Sequence, residues 1–350
     1  MAEQVQMELT GSRHLPRWLA ANELSLAFTT YQGGKLCLVG LGPEGRLSIF
    51  ERTFSRCMGM WADGQSIWMS SLYQLWRFHN GLAPGENRDG YDAMYVPRAG
   101  YTTGDIDIHD VAVGDEGDVV FISTLFSALG TLSDTASFTP LWRPSFVTDL
   151  VPEDRCHLNG LAVRDGKARY VTATSTSNVA DGWRDDRVSG GVIIDIDTDE
   201  IITTGLSMPH SPRWHNGQLF VLNSGTGHLG VIDPDTGKFA PIAFCPGYLR
   251  GLAFAGNHAI VGLSHPRGNK TFQGLPLEQN LKEHGATPRA GLHVINLSTG
   301  ATEQWLRIEG TITELYDIAV LPKVIRPMAL GFKTDEIQHL LTVDQTPEPS

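Results

Sequence analysis

One short phrase recurs along this chain: an apolar strand, a tight polar turn, and a second strand. It reads MGMWADGQSIWMSS from Met58, HDVAVGDEGDVVFIST from His109 and NGLAVRDGKARYVTAT from Asn159. It returns as SPRWHNGQLFVLNS from Ser211, RGLAFAGNHAIVGLS from Arg250 and YDIAVLPKVIRPMALG from Tyr316, and LSLAFTTYQGGKLCLVG from Leu24 fits the same frame. A second phrase follows three of these copies: VIIDIDTDEIITTG from Val192, GVIDPDTGKFAPIA from Gly230 and HVINLSTGATEQWL from His293. Each second phrase is two strands joined by an Asp/Asn-rich hairpin turn, which needs residues tolerant of positive φ. Two hairpins in series make a four-stranded antiparallel unit, and units spaced at roughly 40–65 residues match the repeat of a β-propeller. A single blade cannot bury both of its faces, whereas a closed ring of blades can. The sequence therefore predicts an all-β propeller over residues 24–332, with an N-terminal extension (1–23) and a C-terminal tail (333–350). Seven inner-strand phrases favour seven blades. Six is the competing count, because the last copy lacks its outer strands and the N-terminal segment can complete it.

Composition agrees with such a fold and limits its partners. Gly 38 and Pro 19 supply the turns, and 41% hydrophobic with 19% charged residues leaves ample material for a core. The formal net charge of −12 argues against a nucleic-acid or anionic-membrane binder, since displacing counterions takes a basic field. The four cysteines (Cys37, Cys57, Cys156, Cys245) form no CxxC. No apolar leader opens the chain and no stretch is long enough to span a bilayer, so a cytoplasmic protein is expected. Helix is expected from Leu275 in LPLEQNLKEHG and around Asp335–Leu341.

In a propeller the inner strands line the central channel, and the starts of those strands share one face. Here that face collects titratable side chains: His109 and Asp110, then Arg155, Cys156, His157 and Asn159, then His210 and Arg213, then Arg250, then Glu314 and Asp317, with Arg56 and Cys57 in the second unit. His109, His157 and His210 are read as matching positions in adjacent units. Converging neutral imidazoles are what Zn²⁺, Mn²⁺, Fe²⁺ or Cu²⁺ requires, with Asp110, Asp317 or Glu314 as an added oxygen ligand or as orienters. The alternative is that each histidine bonds a backbone group at a blade junction. Arg155, Arg213, Arg250 and Arg267 could form a positive well for an anionic small molecule, because guanidinium forks grip carboxylate, sulfate or phosphate. They could equally pair with Asp105, Asp110, Asp154, Glu314 or Asp317. Two long insertions, TSTSNVADGWRDDRVSG with Trp183 and RGNKTFQGLPLEQNLKEHGATPRAG, emerge on the same face and read as lids. Gly225–Gly230 matches GxGxxG but lies between strands, and the Asp195 run lacks the EF-hand glycine and glutamate. A Cys57 or Cys156 thiolate is a further candidate nucleophile.

The strings PRAGYTTGDIDIHDVAV, EDRCHLNGLAV, GLSMPHSPRWHNGQLFVLNSGTG, PGYLRGLAF and ELYDIAVLP resemble a bacterial family of conserved hypothetical proteins carrying a domain of unknown function. That resemblance covers about Leu24 to Pro327 and implies a propeller. More distantly, HLNGLAV is similar to blades of gluconolactonase-type and strictosidine-synthase-type propellers. In the gluconolactonase type an axial divalent metal is held by an acid and asparagines, and Asn159 matches one of the asparagines; His109 and Asp110 stand where that type carries Asn–Asp.

The expected protein is thus a propeller enzyme with an axial site, acting as lyase or hydrolase on an anionic small molecule with a divalent metal. His109, Asp110, His157, His210 and Asp317 form the catalytic set, and Arg155, Asn159, Arg213, Arg250, Arg267 and Trp183 hold the substrate. The alternatives are a metal-free ligand- or peptide-binding propeller and a protein-interaction scaffold.

Overall fold

The computed structural model describes residues 7–343 other than Pro234, Arg267, Asn269 and Lys270. Six antiparallel sheets surround one axis. Blade one is built from both ends of the chain: inner strand Ile318–Pro322 pairs with Leu24–Thr30, which is followed by Lys35–Leu41 and Leu47–Thr53. The inner strands of blades two to six are Met60–Ala62, Ile108–Val113, Leu158–Arg164, Pro209–His215 and Tyr248–Ala255. The count is therefore six. Seven phrases resembled an inner strand, but the copy at Leu24 is the second and third strands of the blade that Ile318–Pro322 begins. Two apolar strands around a turn look alike wherever they sit in a blade.

Each junction between blades owns a hydrophobic cluster, and strand alternation explains how. In Leu24–Thr30 the side chains of Leu24, Leu26 and Phe28 pack toward blade six, while Ala27 packs toward blade two. Successive side chains leave a strand on opposite faces, so a strand with neighbours on both sides is buried throughout. The segment before Leu24 joins this packing. Met7–Gly11 adds a fifth strand to blade six, and the helix Leu15–Ala21 places Leu15, Trp18 and Leu19 in the cluster between blades six and one. Pro327–Ala329 runs parallel to the outer strand of blade two, covering an edge that would otherwise be open. The helices Pro276–Glu283 and Glu336–His339 lie where the sequence expects them. Among the described residues no helix is long and apolar enough to cross a membrane.

Near the axis the inner strands are stapled pairwise. Two successive residues per blade define the arrangement. The first axial positions are Tyr316, Met58, His109, Asn159, His210 and Arg250 in blades one to six; the second are Asp317, Gly59, Asp110, Gly160, Ser211 and Gly251. Asp317 accepts the Met60 N–H at 2.8 Å, Asp110 accepts the Leu161 N–H at 3.0 Å, and Ser211 accepts the Gly251 N–H at 3.1 Å. Blades one, three and five thus hold the next blade by a side chain. Blades two, four and six carry glycine, because the next strand leaves no room. A Cβ on Gly59 would meet the Asp110 amide nitrogen at 2.8 Å, and one on Gly160 would meet Pro212 Cδ at 2.5 Å. Hydroxyls at the ends of the second strands add cross-blade bonds, as in Thr29 to the Met58 carbonyl at 2.7 Å and Ser264 to the Leu315 carbonyl at 2.9 Å.

The glycine pattern predicts its own test. Gly160→Ala should lower stability in urea by about 1–3 kcal/mol through overpacking against a rigid proline ring. Gly42→Ala, whose new methyl would meet nothing nearer than 3.6 Å, should change it little.

Candidate functional site

The turns entering blades two to five share an uncommon backbone conformation. Arg56, Asp107, His157 and Met208, each two residues before the first axial position, have φ of 49°, 56°, 52° and 45°. In blades three and five this turn presents a carbonyl to the histidine two residues on: His109 Nδ1 lies 3.1 Å from the Asp107 oxygen and His210 Nδ1 lies 2.9 Å from the Met208 oxygen. In blade four the turn residue is itself His157. The match expected for three histidines therefore holds for two, and His157 reaches the axis from two residues earlier. Its partner is a side chain. Nδ1 of His157 is 2.9 Å from an Asp154 carboxylate oxygen, which also accepts the Trp183 indole N–H at 2.8 Å. Trp183 stacks on the His157 ring at 4.1 Å and fixes its plane.

These turns surround a cavity of about 200 Å³ at the channel mouth, walled by His109, His157, Trp183, Tyr31, Arg250 and Tyr316 and reached by Phe272 and Arg184 from the two insertions. The rings of His109 and His157 meet edge to face at 5.1 Å. Arg250 is 8% exposed, and its guanidinium lies 4.8 Å from the Tyr316 ring and 5.2 Å from that of Tyr248. Among the described residues no carboxylate lies within ion-pairing distance of it. Burial pushes the His109 pKa down to about 4, with His157 and Arg250 adding to the effect and Asp107 opposing it. Burial, then Arg250, holds His210 well below the usual histidine range. Asp107 and Asp154 also line the mouth, 3.6 and 2.9 Å from Nδ1 of His109 and His157, so the Arg250 guanidinium shares the pocket with carboxylates engaged elsewhere, and His109 and His210 stay neutral at physiological pH.

The insertions of blades four and six meet across blade five. Arg187 donates to the Thr271 and Gln273 carbonyls at 3.0 and 2.9 Å. Trp183, Met208, Tyr248, Phe272, Leu275 and Leu277 form one apolar cluster beneath that contact.

One layer further along the axis, Arg213 donates to Asp110 at 2.7 and 3.2 Å and stands 3.8 Å from Asp317. Two carboxylates share one guanidinium. Burial and the nearby Asp110 raise the Asp317 pKa to about 7, against the pull of Arg213 and the Met60 and Ile318 amides. This triad separates the polar mouth from an apolar cavity of about 350 Å³ at the other end, walled by Trp61, Val111, Val163, Trp214 and Phe254.

Several expected site residues are placed elsewhere. Arg155 turns away from the axis into Glu153, Asp149 and Asn178, at 2.8, 3.3 and 2.8 Å. Arg213 and Asp110 are committed to each other below the mouth. Asn159 is buried, accepting from Thr172 at 2.7 Å, so the axial ligand role implied by the gluconolactonase likeness does not apply to it. Glu314 is buried at 1% exposure. Arg267 lies outside the described residues. Cys57 and Cys156 have thiols pushed up to about 12 by burial, which removes them as thiolate nucleophiles. In sequence Tyr316 and Tyr31 look like ordinary strand residues, and Asp154 looks like an arginine partner. The signal for Asp154 was available: an acid three residues before a histidine, in a turn.

The donor set does not fit a divalent metal. His109 and His157 approach each other, but the carboxylates on the same wall, Asp107 and Asp154, lie beside their Nδ1 atoms at 3.6 and 2.9 Å, and Arg250 adds a positive charge. Among the described residues no three His, Cys, Asp or Glu side chains are grouped to hold an ion.

The buried triad has a measurable consequence. A carboxyl whose folded pKa exceeds its unfolded value contributes stability that is complete at low pH and is lost as pH rises between about 4 and 7. Asp317→Asn should remove that loss, so the melting temperature of the variant, relative to wild type, should climb between pH 5 and pH 8.

The chain belongs to the family described as a domain of unknown function (DUF4915), which matches residues 13–330. No curated protein matches the sequence. Among solved structures, the chain is similar to one from a nidogen/laminin complex, at 13% identity and a TM-score of 0.54, covering 86% of this chain and 99% of that one. It is similar to virginiamycin B lyase from Staphylococcus aureus, at 12% identity and a TM-score of 0.38, covering 74% and 96%. A streptogramin B lyase gives 12% identity and a TM-score of 0.40, covering 87% and 98%. At such identities the likeness shows the propeller fold alone.

Proposed function

We propose that this DUF4915 protein is an enzyme that binds an anionic small molecule at the channel mouth and moves a proton on it, as a lyase or a hydrolase does. The observation that carries this reading is the buried guanidinium of Arg250, which faces the cavity with aromatic rings beside it; among the described residues no carboxylate ion-pairs with it, and Asp107 and Asp154 on the same wall lie beside His109 and His157 instead. A buried cation without a partner is costly unless a guest supplies the countercharge. An anion held there lies against His109 and His157.

His157 is the proton-transfer group in this reading. Asp154 accepts from its Nδ1, which fixes the ring and directs Nε2 to the substrate, as the carboxylate of a catalytic triad orients its histidine. His109 stays neutral through burial and offers a second nitrogen to the same guest. The two insertions meet at Arg187 and reach the cavity with Arg184 and Phe272, so in this reading they cover part of the site.

A second reading rests on a specific observation: His109 and His210 both bond backbone carbonyls, as expected of a metal-free binding propeller whose channel recognises a ligand without converting it. The two readings separate in a mixed metabolite extract followed by mass spectrometry. The enzyme reading predicts that wild type consumes an anionic component. Arg250→Gln should abolish consumption, and Asp154→Asn should slow it by roughly 10²–10⁴-fold, the usual worth of acid–base catalysis. Prior treatment with EDTA should leave it intact. An anion that is retained by wild type and released unchanged would replace the enzyme by the binding propeller.

A further inference from the structure

Three buried polar atoms along the axis find no hydrogen-bond partner among the described residues: Nε2 of His210, Nε of Arg250 and the hydroxyl of Tyr316. They belong to the first axial positions of blades five, six and one, three neighbours in the ring. The residues are 4%, 8% and 4% exposed. Native proteins leave few buried polar atoms unpaired, and such a group is unfavourable until something bonds it. These three lie in adjacent blades, and Arg250 and Tyr316 are on the wall of the mouth cavity.

The character of each atom states what a guest there must offer. Arg250 Nε–H only donates, and Tyr316 keeps its proton because burial raises its pKa well above the usual phenol range, so both call for an acceptor. His210 is the reverse case. Its Nδ1 lies 2.9 Å from the Met208 carbonyl and 3.2 Å from the Ser224 hydroxyl; a carbonyl only accepts, so with Ser224 donating to the Leu222 carbonyl at 3.3 Å, Nδ1 carries the hydrogen and Nε2 is left as a lone pair seeking a donor. The charge on Arg250 requires the acceptor to be anionic. The donor beside it must be uncharged, since an ammonium there would sit against Arg250.

We infer that the ligand is a hydroxycarboxylate, its carboxylate held by Arg250 and Tyr316 and its hydroxyl donating to His210. The inference rests on the anion site proposed above and narrows it to one substrate class. It also gives His210 a role that the cavity wall alone does not: a specificity residue that recognises the hydroxyl, leaving proton transfer to His157.

Calorimetric titration of the full chain tests it with three series. Lactate, malate and mandelate are compared with their deoxy partners (propionate, succinate, phenylacetate) and amino partners (alanine, aspartate, phenylglycine). In at least one series the hydroxy acid should bind about tenfold or more tightly than both partners, as a site with an unpaired polar atom rejects a ligand that cannot meet it. His210→Phe should erase the preference for the hydroxyl while carboxylate binding survives. Tyr316→Phe should weaken the hydroxy and deoxy acids alike, and Arg250→Gln should abolish both. Hydroxy and deoxy acids binding equally, or an amino acid binding best, would overturn the hydroxycarboxylate and leave the anion site standing. No binding by any of the nine acids would overturn this inference, while the metabolite experiment still judges the anion site by itself. The comparison within wild type does not depend on any variant folding.

Discussion

The close approach of the inner strands at the axis governs this molecule. Where Gly59, Gly160 and Gly251 stand, no side chain fits, and the alternate blades reach across with Asp317, Asp110 and Ser211. That spacing brings turns from segments about fifty residues apart, roughly one propeller repeat, to the edge of a single cavity. It also buries whatever the first axial positions carry. His109, His210, Arg250 and Tyr316 owe their altered proton affinities or their unmet hydrogen bonds to this packing, not to anything in their local sequence.

Charge is layered along the axis as a result. At the mouth the buried Arg250 guanidinium lies beside a phenol ring and His109, whose imidazole burial keeps neutral. One layer in, Arg213 is shared by two carboxylates, one of them raised to a pKa of about 7. Beyond that the channel is lined with hydrocarbon and indole. The arrangement suits a small anion entering from one side.

Much of this was legible from the residues. The hairpin phrases at Val192, Gly230 and His293 fold as the outer strands of blades four, five and six, and the insertion from Leu275 forms its helix. The convergence of His109, His157 and Arg250 followed from their places at strand starts. Other positions could not be read. Arg155 and Arg250 both precede apolar strands, yet one points to surface carboxylates and the other to the axis, because the first sits in the turn before its strand and the second within it. The three histidines looked equivalent until the left-handed turn set His157 two residues out of step.

Periodicity and turn chemistry alone determined the all-β class, the propeller and the face that gathers the polar side chains, since these depend on patterns repeated within tens of residues. Only the tertiary structure decided the blade count, the staple pattern and which polar groups meet. Ring closure pairs Ile318–Pro322 with Leu24–Thr30 across nearly the whole chain. No local pattern records that partnership, and the direction of each axial side chain depends on the neighbouring blade it packs against.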